Sequence, residues 1–204
     1  MMAMPPVSPR DVVIAIEQLQ YRQELHDRLY HTDIYTLSKH HRLVHLILHQ
    51  CKYVSQLHTV IKEYGIAGDE NIHHGNRRRA EILVVDGFIV SLSMLNCCNY
   101  QFEEFLGTEG WDELSPINLL IRHIGILSKT IEDVDHMGQT NPLYAIVDSV
   151  KIMMTAYYEL WKQVGGDFRE LVRRIYQRLI DVEKKNIFFE HHDAEMKSLI
   201  LKGR

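Results

Sequence analysis

Residues 80–95 read AEILVVDGFIVSLSML, and this stretch decides the fold. Ile82, Leu83, Val84, Val85, Phe88, Ile89, Val90, Leu92, Met94 and Leu95 cover every side of a helix. A helix apolar all round is a buried one, so other helices must wrap around it. The apolar run over 82–98 contains Asp86 and is too short and too polar to cross a bilayer, which speaks against a membrane role.

Working outward, glycine and proline punctuate long segments of helical period. Ser8-Pro9 is a capping serine followed by a first-turn proline, and Val12, Ile16, Leu19, Leu25 and Leu29 carry a first helix to Tyr30. Thr32-Asp33 offers the next cap. Leu37, Val44, Leu48, Cys51, Val54 and Ile61 then mark one stripe of a helix ending near Gly65. Residues 65–76 read as the clearest loop. The decisive helix runs over 77–106 and breaks at Glu109-Gly110. Ser115-Pro116 opens a helix to Met137, Asn141-Pro142 opens one to Gly165-Gly166, and Asp167 caps a last helix to about Asp193. No segment sustains the alternation of a strand. The expected class is all-α: a bundle of about six helices in one domain spanning 1–204.

Composition narrows the function. Among 204 residues, 46% are hydrophobic and 25% charged, which is ample for a core. The formal charge of -4 argues against a protein that coats nucleic acid. Cys51, Cys97 and Cys98 form neither a disulfide framework nor a zinc ribbon, and MMAMPPVSPRD has no basic-then-apolar leader pattern. A reducing, cytoplasmic setting is expected.

A weak internal repeat aligns LILHQCKYVSQL (46–57) with LIRHIGILSKTI (120–131), placing His49 opposite His123. The helices that follow, 80–95 and 143–157, place Asp86 opposite Asp148. The repeat units would be 33–107 and 112–165, with a helical extension over 167–204. Helical patterning alone would also produce such an alignment.

Asp86 is the most informative single residue. A carboxylate in so apolar a helix must be paired, hydrogen-bonded, metal-bound or protonated. One reading makes it a metal ligand; the other pairs it with a cation that fixes helix register. His41, His45 and His49 form a ladder at i, i+4 and i+8, and with carboxylates such as Glu24 or Asp27 they could hold zinc, iron or manganese. The sequence HLILH lacks the Glu of a zinc protease. Arg77, Arg78 and Arg79 could hold a phosphate. Arg173, Arg174, Arg178, Lys184 and Lys185 could reach a polyphosphate, or form a solvated face. Tyr157, Tyr158 and Trp161 read as core or interface. No Gly-rich phosphate loop or nucleophile elbow is present.

Residues 40–106 resemble the MazG-like, all-α nucleoside triphosphate pyrophosphohydrolase superfamily, which includes the dimeric dUTPases. HLILHQCKYVSQL (45–57) is similar to its first core helix, and AEILVVDGFIVSLSMLNCCNY (80–100) to its second. The resemblance implies a MazG-like bundle, with one chain supplying both halves of a four-helix core or pairing as a homo-oligomer. It further implies binding, and hydrolysis to monophosphate and pyrophosphate, of a nucleoside triphosphate with Mg2+ or Mn2+. Asp86 would hold the metal with Glu81 nearby, and Lys52, Arg77, Arg78, Arg79, Asn96 and Lys184 would contact nucleotide or phosphates. KKNIFF (184–189) resembles the lysine–asparagine stretch of dimeric dUTPases. The chain departs from the pattern where Lys52 and Gln56 replace acidic ligands and Leu83 replaces a glutamate. Glu81 lies five residues from Asp86, about 140° around the helix, so it is no direct substitute. The alternative is a non-catalytic interaction or oligomerisation protein in which Lys52 neutralises Asp86.

Overall fold

A computed structural model describes residues 8–64, 74–103, 115–136 and 141–185. All of its regular structure is helical: α1 (Pro9–Tyr30), α2 (Thr32–Tyr35), α3 (Lys39–Tyr64), α4 (His74–Cys97), α5 (Pro116–Asp135), α6 (Pro142–Gln163) and α7 (Phe168–Lys185). The expected all-α bundle is what the chain forms. The elements differ from the sequence reading at three places. Thr32-Asp33 opens only the short α2, and Ser38 caps α3 instead, its Oγ accepting from the His41 amide at 3.3 Å. α4 begins at His74, inside the expected loop, so Arg77, Arg78 and Arg79 follow its first turn. α4 stops at Cys97, where Asn99 takes a left-handed φ of 54° and turns the chain back. The expected helix end at Leu106 and the extension beyond Lys185 fall outside the described residues.

α4 is the central helix. Val84, Phe88, Leu92, Met94 and Leu95 have no exposed surface. The span Asn76–Cys97 is long and apolar enough to cross a membrane, yet most of it is buried inside the bundle. α3 and α5 pack on each other, as do α4 and α6, while the hairpins α3–α4 and α5–α6 have the closest associations. The two proposed repeat units thus sit as paired hairpins. Their related carboxylates differ: Asp148 is exposed and needs no buried partner, so the buried-acid argument holds for Asp86 alone.

A polar pin fixes this core. Gln50 of α3 is fully buried, and its Nε2 donates to Gly87 O and Ser91 Oγ, both at 2.9 Å. Tyr157 of α6 donates its hydroxyl to Gln50 Oε1 at 2.6 Å. Three helices are therefore tied through groups that an apolar core would otherwise leave unsatisfied. Trp161 is also core, its Nε1 donating to Asp167 O at 2.8 Å.

α1 docks onto α4 through polar side chains. Gln20 donates to Asn96 Oδ1 and Tyr100 O and accepts from the Phe102 amide, while Asn96 donates to Gln20 O. α7 closes the same side with Phe168, Leu171, Ile175 and Leu179 buried at helical spacing. α1, α2, α3, α4 and α7 together enclose a cleft.

Candidate functional site

The cleft has a volume of about 340 Å³ and takes its walls from five helices. α4 contributes Ile89 and Val90, and α7 contributes Leu179 and Val182, as an apolar surface. α3 adds His45, Leu46, His49, Lys52 and Tyr53 on one face, because these positions repeat at helical spacing. α1 adds Gln23, His26 and Asp27, and the α1–α2 junction adds His31, Ile34 and Tyr35. An adjoining groove shares Lys52, Tyr53, Asp86 and Arg178 with the cleft and continues to Gln56, Arg78 and Arg79.

Asp86 sits where cleft and groove meet, with its side chain 11% exposed. Arg178 grips it with two hydrogen bonds, Nε to Oδ1 at 2.7 Å and Nη2 to Oδ2 at 2.9 Å. The bidentate fit satisfies the carboxylate that α4 carries into the core. The pairing raises the Arg178 guanidinium further above its usual range. One turn earlier on α7, Arg174 reaches Glu81 at 3.9 Å, and Arg77 reaches the same Glu81 at 3.4 Å. Two arginines of α7 therefore meet two acids of α4. The expected neutralisation of Asp86 by a cation is present, but the cation is Arg178. The Lys52 ammonium instead lies 4.4 Å from the Tyr53 ring centre.

The two acids that α4 carries to this border are both held by arginines. Both oxygens of Asp86 are engaged, Glu81 is held by arginines, and no three His, Cys, Asp or Glu side chains converge on a metal position among the described residues. The histidine ladder divides in the same way. His45 and His49 line the cleft with ring centres 4.5 Å apart, whereas His41 pairs with Ser38 outside it. Burial lowers His45, and it takes His31 and His49 down to about 4, with Lys52 adding to the effect at His49. The three rings are neutral at neutral pH and serve as flat, weakly polar walls.

Asp27, at the cleft's other end, is held by α1 and α4 together. Ser93 Oγ donates to Oδ2 at 2.7 Å, and Gln23 Nε2 donates to Oδ1 at 2.8 Å and to Ser93 Oγ at 3.0 Å. Burial pushes the carboxyl up to about 6 against the lowering effect of those hydrogen bonds. Nearby, His26 pairs with Glu183 at 3.2 Å, and Arg22 pairs with the same carboxylate. Arg42 stacks on Tyr35, whose hydroxyl donates to Glu24 at 2.7 Å.

Of the residues singled out from sequence, Lys52, Arg78 and Arg79 come together with Asp86 around the groove. Arg77 does not join them; its guanidinium donates to Val164 O and flanks Glu81. Asn96 is a structural link to Gln20 at the opposite end of α4. Lys184 lines an outer groove with Glu81, Arg174 and Asp181, which shares Arg178 and Lys185 with the cleft and Arg78 with the adjoining groove. Residues 186–189 lie outside the described residues. Gln23, Ser93, His31, Tyr53 and Arg42 carry no sequence signal, since each reads alone as an ordinary surface or core residue. The cleft's chemistry is thus an aromatic and aliphatic body, with the hydrogen-bonded Asp27 towards one end and Lys52 beside the Asp86–Arg178 pair towards the other. Compared with protein-family models, with curated proteins and with solved structures, the chain finds no match.

Proposed function

We propose that this protein binds a nucleotide in the cleft, holding it by its phosphates and its base without a resident metal ion. The observation that carries this reading is the shared border of cleft and groove. There Lys52 and Arg178, with Arg78 and Arg79 behind them, edge a chamber lined by His45, His49, Tyr53 and Ile89. Cations at the rim suit phosphate oxygens, and flat neutral rings with aliphatic floors suit a base. The resemblance of 40–106 to the MazG-like superfamily suggests nucleoside triphosphates through the same residues.

Hydrolysis at the α–β bond would need Asp86 free to hold Mg2+ or Mn2+, and Arg178 occupies both of its oxygens. We therefore favour binding over turnover. Within this reading the protein sequesters or senses its nucleotide, and the Asp86–Arg178 pair joins α4 to α7 at the binding site.

The test is calorimetric titration of nucleosides and their mono-, di- and triphosphates in EDTA, repeated with Lys52→Ala/Arg79→Ala. Affinity should rise with phosphate number, persist without divalent metal and fall about tenfold or more in the double variant. Pyrophosphate release is measured in parallel with Mg2+ and Mn2+ added. Nucleosides binding as tightly as nucleotides would sink the phosphate assignment. Metal-dependent turnover lost in Asp86→Asn would overturn the metal-free reading and establish a pyrophosphohydrolase.

A further inference from the structure

α4 presents two seams to solvent, and one arginine stands where they meet. Along the first, Lys52 and Gln56 of α3 face Arg79 and Asp86 of α4. Along the second, Arg78, Ile82 and Val85 of α4 face Arg174, Arg178 and Lys185 of α7, both sets at helical spacing. Arg78 and Ile82 belong to both seams and form the ridge between them. Arg178 lines both seams and the cleft itself. A ligand in the cleft therefore has two ways out for its charged groups.

The charge along these exits is one-sided. Lys52, Arg78, Arg79, Lys184 and Lys185 are exposed, and none has a carboxylate partner among the described residues. Elsewhere Lys129, Lys162 and Arg173 each rest on a glutamate. The acids of the second seam do not offset this. Glu81 is flanked by Arg77 and Arg174, and Asp181 accepts from Gln177 at 2.8 Å. A chain with a formal charge of -4 thus gathers unpaired cations around one junction. Like charges lining a shared junction repel one another, a cost that a bound anion removes.

A nucleoside carries phosphates at two places that point apart, the 5′ and 3′ oxygens of its ribose. The cleft, at about 340 Å³, falls within the range of small-molecule sites. We propose that it takes a nucleoside phosphorylated on both oxygens, the 5′ side in the seam of Lys52 and Arg79 and the 3′ side in the seam of Arg174, Lys184 and Lys185. This rests on the nucleotide reading above and names its substrate class. A free 3′,5′-bisphosphate and a nucleotide within a single strand offer the same chemistry.

The experiment is calorimetry in EDTA with the 5′-monophosphates, 5′-diphosphates and 3′,5′-bisphosphates of adenosine, guanosine, cytidine and uridine. For the base that binds best, the bisphosphate should bind about tenfold or more tightly than the 5′-monophosphate. In Arg174→Gln/Lys184→Gln that gain should shrink to about twofold or less, while the gain from a second 5′-phosphate persists. A bisphosphate no tighter than the monophosphate would overturn this proposal and leave 5′-phosphate binding standing. A 3′-phosphate gain that survives in the double variant, or an equal loss of both gains, would also overturn it. Failure of every nucleotide to bind would remove both readings together. Lys184→Gln alone, a single exposed change, serves if the double variant does not fold, and should halve the 3′-phosphate gain or more. A 5′-phosphorylated oligonucleotide of about ten residues separates the sources: tighter binding than the bisphosphate assigns the site to a strand, and weaker binding to the free bisphosphate.

Discussion

The ring of Tyr157 occupies the space in which a side chain at position 87 would begin: a Cβ built on Gly87 would lie 2.3 Å from Tyr157 Cζ. α4 and α6 can approach this closely because Gly87 has none. The same contact places the Tyr157 hydroxyl on Gln50. Gly87→Ala must push a fully buried ring aside and is expected to destabilise the fold by about 1–3 kcal/mol. Tyr157→Phe leaves Gln50 Oε1 buried without its donor, a cost of about 1–3 kcal/mol. Urea unfolding with a shared slope measures both. Because the two changes act on one contact, their combination should cost less than the sum.

The contrast between this pin and the rest of the core explains what could be read from sequence. Residues 80–95 announce a buried helix because every face is apolar, and α5 and α6 announce their starts through Ser115-Pro116 and Asn141-Pro142. Asp86 in that context demanded a partner. Its identity was not legible, since Arg178 stands 92 positions away on a helix whose arginines and glutamates look like a solvated face. The cleft was the least legible part. Gln20, Gln23, His26 and Gln50 look like surface residues in sequence and are buried, each because a matching polar group on another helix receives it. Periodicity identifies faces; it does not identify which polar residues will find one another. The same limit applies to the histidines. Their spacing on α3 is regular, yet His41 pairs outside the cleft while His31, from another element, lines it.

Removing Arg178 should be felt by the whole bundle. Arg178→Met leaves Asp86 as an unpaired carboxylate in a mostly apolar helix. Full burial would make that a loss of about 3–5 kcal/mol. Arg178 is 31% exposed, so water reaches the pair and the expected loss is about 1–3 kcal/mol. Arg178→Met with Asp86→Asn should recover part of it. A double-mutant cycle from chemical unfolding gives the coupling, and a value within error of zero would mean the pair contributes nothing to folding.

Stability should respond to pH through the cleft. His31 and His49 titrate near 4 when folded and near 6.5 when unfolded, so the unfolded chain takes up protons first as pH falls. Their contribution is present above about 6.5 and is lost as pH falls toward 4. Asp27 acts in the opposite sense. Its folded value of about 6 lies above the ordinary 3.8, so its contribution is largest below 3.8 and is lost as pH rises through 6. Two histidines outweigh one aspartate, and the net expectation is declining stability between pH 6.5 and 4. Asp27→Asn removes the opposing effect, so the decline should steepen. Melting temperatures across that window for both proteins check the sign.

Asp86→Asn separates the two chemistries most sharply, because one predicts weaker binding of a magnesium nucleotide and the other tighter binding without metal. If Asp86 holds a metal, its loss weakens binding of a magnesium nucleotide. If Asp86 instead competes with phosphate for Arg178, its loss frees a guanidinium and removes one negative charge from a rim that already carries Lys52, Arg78 and Arg79. A charge removed at contact distance, partly screened by water, changes anion affinity by about tenfold. Asp86→Asn is therefore expected to bind a nucleoside triphosphate about tenfold more tightly than wild type in EDTA, with an advantage that shrinks as salt is raised. The pair also joins α4 to α7, so the variant's unfolding curve is needed to show that the gain comes from a folded bundle. Weaker binding in EDTA by a folded Asp86→Asn protein would remove the competition argument, and a loss seen only for the magnesium nucleotide would return Asp86 to the role of metal ligand.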